Sequence, residues 1–148
     1  PMTLSRSLQL LLKNNLVVKE KIKNQIYYYA NMLNPAFRHM KVSRSLSWLA
    51  QKDVVGLIRK RIAGTVTIIL YGSYAKGEDT KDSDVDILVI APAKKDLSQD
   101  ISSLLKKDVN VSVFSPADWG RQAKANRAFY LDIITEGIVL YGTRPVIE

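Results

Sequence analysis

GTVTIILYGSYAKGEDTKDSDVDILVI, residues 64–90, holds two apolar β-type runs separated by a polar loop. The first, Thr65–Tyr71, is β-branched and apolar and lies between Gly64 and Gly72. The second, Val85–Ile90, begins with Asp84 and Asp86 one residue apart and is closed by Pro92. Continuous apolar runs of this length bounded by turn residues predict buried strands. Carboxylates leading into a buried strand are costly unless something offsets their charge. Side chains alternate faces along a strand, so Asp84 and Asp86 point the same way, about 7 Å apart. They are either a solvated strand end or a cation site.

Working outward, strands alternate with helices. Asp96–Lys107 has an amphipathic helical pattern with Leu97, Ile101, Leu104 and Leu105 inward, and Val109–Phe114 is a third strand. Ser115-Pro116 starts another helix by the cap-then-proline rule, Ala128–Thr135 is helical up to Gly137, and Ile138–Tyr141 is a short last strand. Upstream, Asp53 caps a helix over 54–62, and Asn34-Pro35 opens one running towards Ala50. Leu4–Leu16 has near-helical apolar spacing. Leu16–Val18 and Ile26–Tyr29 read as a hairpin around a charged tip, Lys19–Asn24.

Charge divides the chain in a similar way. Of 148 residues with net charge +8, residues 1–62 carry 12 Lys+Arg against 2 Asp+Glu, whereas residues 63–148 carry 10 against 12. A basic half attracts polyanions such as nucleic acid, and a solvated cationic face is the alternative. The boundary is placed at 50–51, giving a basic segment 1–50 and a second unit 51–148. Cys is absent, which removes disulfides and thiolate metal sites. No run approaches the roughly 20 apolar residues needed to span a bilayer, and the expectation is a soluble, cytoplasmic protein with no membrane partner. Opening on Pro1 rather than Met suggests a piece of a longer chain.

Two carboxylates on one face suit Mg²⁺, which completes its octahedron with water and substrate phosphates. Gly72 admits close approach of a ligand to the backbone, Ser73 offers a hydroxyl and amide donors, and Lys76 is within the same loop. This is no Walker A loop, because Glu78-Asp79 stands where Lys-Ser/Thr is required. The full arrangement, Gly72-Ser73, Gly77, then Asp84-x-Asp86, resembles the signature of the DNA polymerase β-like nucleotidyltransferases, in particular their minimal branch. The resemblance extends from about residue 52 to the closing stretch Asp132–Gly142. It implies an α/β (α+β) fold with a mixed sheet flanked by helices. It also implies a Mg²⁺–nucleoside triphosphate site with Asp84 and Asp86 as catalytic and metal residues and Gly72 and Ser73 on the nucleotide; Lys76, in the same loop, is either a further nucleotide contact or a solvated loop lysine. The activity implied is transfer of a nucleoside monophosphate to an acceptor hydroxyl, often with a helical partner protein.

Active members of that family place a third carboxylate on the next core strand. Here the face in question carries Asn110 and Ser112, neither able to act as a carboxylate base, and Asp108 lies two residues short. Residues 2–50 resemble the second half of a winged-helix DNA-binding domain, a partial one, with Thr3–Leu11 as recognition helix and 19–24 as wing tip. That resemblance implies contacts to duplex DNA from Ser5, Arg6, Lys13, Lys19, Lys21 and Lys23. The alternative function is therefore a DNA-binding regulator, or an antitoxin-type protein, with a catalytically weakened transferase domain. His39 is read as a surface or packing residue, and Trp48 and Trp119 as core.

Overall fold

The computed structural model describes residues 2–147. It opens with helix α1 (Met2–Lys13), the hairpin strands β1 (Val17–Ile22) and β2 (Gln25–Ala30), and the helices α2 (Pro35–Gln51) and α3 (Val54–Arg61). Then come β3 (Thr67–Tyr71), α4 (Ser73–Lys76), β4 (Val85–Ile90), α5 (Ser98–Leu105), β5 (Val109–Phe114), α6 (Pro116–Ala125), α7 (Arg127–Thr135) and β6 (Ile138–Tyr141). The four later strands form one mixed sheet in the order β5-β4-β3-β6. β4 runs parallel to β5, and β3 is antiparallel to both β4 and β6.

Strand alternation sorts the apolar side chains onto two faces. Val85, Ile87 and Val89 enter a cluster with Ile68, Leu70, Ile58, Leu49 and Ile101, between the sheet and α2, α3 and α5. Leu88 and Ile90 enter the opposite cluster with Ile69, Trp119, Tyr130 and Ile133, under α6 and α7. Trp119 is 1% exposed, and its indole N–H donates to the Pro145 carbonyl at 2.7 Å, so its one polar group is satisfied on burial. Trp48 is half-buried, tilted over Tyr74 with ring centroids 6.2 Å apart, and His39 is exposed on α2.

The caps act where the sequence places them. The side chains of Asn34, Asp53 and Ser115 accept from Ala36, Gly56 and Asp118 amides. Asn34 also donates to the Asn14 and Asn15 carbonyls, tying the end of α1 to the start of α2. Helix α2, counted by sequence with the basic segment, contributes Leu49 to the same core cluster as β3 and β4.

Three local expectations are corrected. The first core strand begins at Thr67, because Thr65 turns its hydroxyl back to the Ile62 carbonyl. The helix predicted over 96–107 is confined to Ser98–Leu105, ended by Lys106 in the left-handed region. The hairpin tip is only Lys23-Asn24, with Lys23 at φ 53°, as a tight two-residue turn requires, so Lys19 and Lys21 are within β1 rather than at a wing tip. None of residues 3–34 is buried. The helix–hairpin order α1-β1-β2 is the one expected.

Candidate active site

The stretch between β3 and β4 is not wholly loop. Gly72 leaves β3 at φ 70°, ψ −153°, and Ser73 starts a single helical turn that closes on Gly77, itself left-handed at φ 68°. A Cβ on Gly72 would lie 2.5 Å from Asp86 Oδ2, so a residue with no side chain is what allows this carboxylate to sit beneath the turn.

β4 delivers the two aspartates. Asp86 is half-buried and is registered against Tyr71 on one side and Asn110 on the other; Asp84, just before the strand, is exposed. Alternation puts both on the α6/α7 side of the sheet, at its open end. Asn110 donates its amide to both, 3.3 Å to Asp84 Oδ2 and 3.1 Å to Asp86 Oδ1. Carboxylates only accept, so a single NH₂ group bridges two like charges that would otherwise repel.

The third carboxylate is not supplied by Asp108. Its backbone carbonyl accepts from the Val85 amide at 2.9 Å, and its side chain opens into a hollow of about 700 Å³ with Lys81, Ser102 and Lys107. Among the described residues no three of His, Cys, Asp and Glu come together as a metal cluster. Ser112 lies beside Leu88 in the register, on the Asn110 face. Burial first, then the charges of Asp86 and Asp132, raises the Tyr71 phenol above its usual range, against a lowering hydrogen bond from Ser112.

Lys76 does not stand free in solvent, as a loop lysine would. Its ammonium donates to Asp132 Oδ1 at 2.6 Å, from α4 to α7. Sequence reading missed Asp132 and Tyr71, since only the fold brings position 132 to position 76. Ser5, Arg6, Lys13, Lys19, Lys21 and Lys23 are all exposed, on α1 and the hairpin.

The nucleotidyltransferase domain family matches residues 54–135, more than half of the chain. The chain belongs to that family. This nucleotidyltransferase is thus a transferase enzyme, and its mixed sheet between helices is the fold seen in solved relatives. A Methanocaldococcus jannaschii protein provisionally named a protein adenylyltransferase is 34% identical over 95 residues, 62% of this chain and 95% of that protein. MntA of Shewanella oneidensis, also named a protein adenylyltransferase, is 28% identical over 102 residues, 65% of this chain and 68% of MntA. A solved toxin–antitoxin with AMP-PNP shares 30% identity at a TM-score of 0.50, over 62% of this chain and 72% of that one. An MntA–HpeT toxin–antitoxin variant with two aspartates changed to glutamate shares 26% at 0.50, over 62% and 73%.

No helix among the described residues is long and apolar enough to cross a membrane.

Proposed function

We propose that this nucleotidyltransferase moves a nucleoside monophosphate, an adenylyl group by likeness to its relatives, from a triphosphate to a hydroxyl on a protein. The observation that carries the reading is the packing of Asp86 under Gly72 beside Asp84. It sets two hard oxygen donors against a backbone turn able to take phosphate.

The residues fit one divalent cation. Asp84 and Asp86 offer carboxylate oxygens on one face, held by a donor that a cation would displace, and the missing third carboxylate leaves the other positions to water and phosphate. Mg²⁺ there would polarise the phosphoryl oxygens and offset charge on the leaving group. Gly72 and Ser73 bind phosphate through amides and the hydroxyl, and Lys76 adds a point charge. The acceptor oxygen attacks the α-phosphorus, the bond to the bridging oxygen breaks, and pyrophosphate leaves. Asn110 cannot take the acceptor's proton, so transfer is slow unless the acceptor or a partner supplies the base.

An antitoxin-type role in a protein pair is the second reading, favoured by the toxin–antitoxin structures among the neighbours. The test is calorimetric titration with AMP-PNP, with and without Mg²⁺, alongside transfer of labelled AMP from ATP to candidate proteins. Asp86→Asn is expected to abolish Mg²⁺-dependent binding while keeping the fold. Unchanged Mg²⁺-dependent affinity in that variant would remove the site assignment.

A further inference from the structure

Lys76 ends the single turn that Ser73 begins, three residues on and therefore on the same side of that turn. Its charge is already engaged. Asp132 holds the ammonium at 2.6 Å, with the two side chains 30% and 34% exposed. The bond to Asp132, more than the charges of Glu136 and Glu78, raises the Lys76 pKa, so the lysine is fully cationic at neutral pH. Glu78 has its own partner in Arg38 at 3.2 Å. Asp132 cannot easily withdraw, because α7 is anchored three residues earlier by Phe129, edge-on to Tyr71 at 5.7 Å. Tyr71 is the residue next to Gly72.

A triphosphate arriving at Gly72-Ser73 therefore meets a lysine neutralised by a neighbour and a fixed carboxylate of its own sign. We infer that Asp132 is a latch on nucleotide affinity: Lys76 must exchange the Asp132 carboxylate for a phosphate oxygen when nucleotide binds. The inference rests on reading Gly72–Asp86 as the nucleotide site. An ion pair this exposed is weak, which makes the exchange accessible. The long, flexible lysine stem can make the swing without backbone motion. Apparent affinity is lowered by the fraction of lysine held on Asp132, and removing the carboxylate removes that reduction.

The test is a double-mutant cycle on the full chain, titrated with Mg²⁺ and AMP-PNP. Asp132→Asn should bind about two- to fivefold tighter, and Lys76→Met roughly tenfold weaker or more. In the Lys76→Met background, Asp132→Asn should have almost no effect. Equal or weaker binding by a folded Asp132→Asn variant overturns the latch. So does tightening of the same size with and without Lys76, which would mean simple repulsion of the nucleotide. A second measurement needs no variant. In the unaltered chain, the Asp132 carboxyl ¹³C resonance should move to that of an unpaired carboxylate on saturation, and an unmoved resonance overturns the exchange. If the unaltered chain binds no AMP-PNP, the nucleotide site itself falls and the latch with it. If it binds and Asp132→Asn leaves affinity unchanged, only the latch falls.

Discussion

Asn110 stands where the family resemblance places a third carboxylate, and it is what holds Asp84 and Asp86 together. Its NH₂ group bridges Asp84 and Asp86, so Asn110→Asp would exchange a donor for a third negative charge among acceptors. We expect that variant to melt several degrees lower in EDTA and to recover most of the loss in Mg²⁺, since a cation then does what the amide did. The same change returns a candidate base to the acceptor side. Transfer should rise by one or more orders of magnitude, up to the about 10²–10⁴ that such a base supplies, and nucleotide affinity should stay about constant. A melting temperature independent of Mg²⁺ would show that the three positions do not share an ion. Strand alternation puts Asp84 with Asp86, and Asn110 with Ser112, on shared faces by arithmetic alone, whereas the third-carboxylate slot was known only through the family resemblance. The partner of Lys76 was not legible, because Asp132 lies on a distant helix and nothing local links the two positions.

At the scale of elements, boundaries were readable wherever an apolar run met a breaker. Val85–Ile90, Val109–Phe114 and Ile138–Tyr141 fall where the sequence puts them. The hairpin was read, but its tip was drawn too wide, because the exposed charged stretch Lys19–Ile22 of β1 looks like a loop. The turn Ser73–Lys76 was hidden too, since four residues are too few to show a period. That turn is wedged against α2. A Cβ at Gly77 would overlap the Arg38 carbonyl oxygen, in a backbone conformation with φ 68°. We expect Gly77→Ala to destabilise by about 1–3 kcal/mol, which at about 2–4 °C per kcal/mol is a clear shift in thermal melting. Nucleotide affinity should fall with it, because Ser73 and Lys76 ride on the same turn. A normal melt and normal affinity would mean that α2 can retreat freely.

Across the whole molecule, the two core clusters draw nothing from the described residues before α2. α1 and the hairpin leave Leu4, Leu10, Val18, Ile22, Ile26 and Tyr27–Tyr29 exposed. Removal of residues 1–33, keeping Asn34 as the α2 cap, should therefore leave a single cooperative unfolding transition within a few degrees of the full chain. Loss of cooperativity in circular-dichroism melts would show that the early elements support the sheet. The charge step read from the sequence agrees with this only in part, because α2 is basic yet belongs to the core.

The central place of β4 has a consequence for how the protein would look to deuterium. It is paired on both sides, by β3 and β5, and Ile87, Leu88 and Val89 are fully buried. Amides of that kind exchange only when the molecule opens as a whole, whereas the early hairpin can exchange by local opening. The acidic pair is thus mounted at the start of one of the two doubly paired strands of the sheet and faces the short turn that carries Lys76. Nucleotide should consequently slow exchange in α4 first and at modest concentration, while β4 responds only through the rise in global stability that tight binding brings. Two rates from one labelling experiment would separate occupancy of the site from stabilisation of the fold.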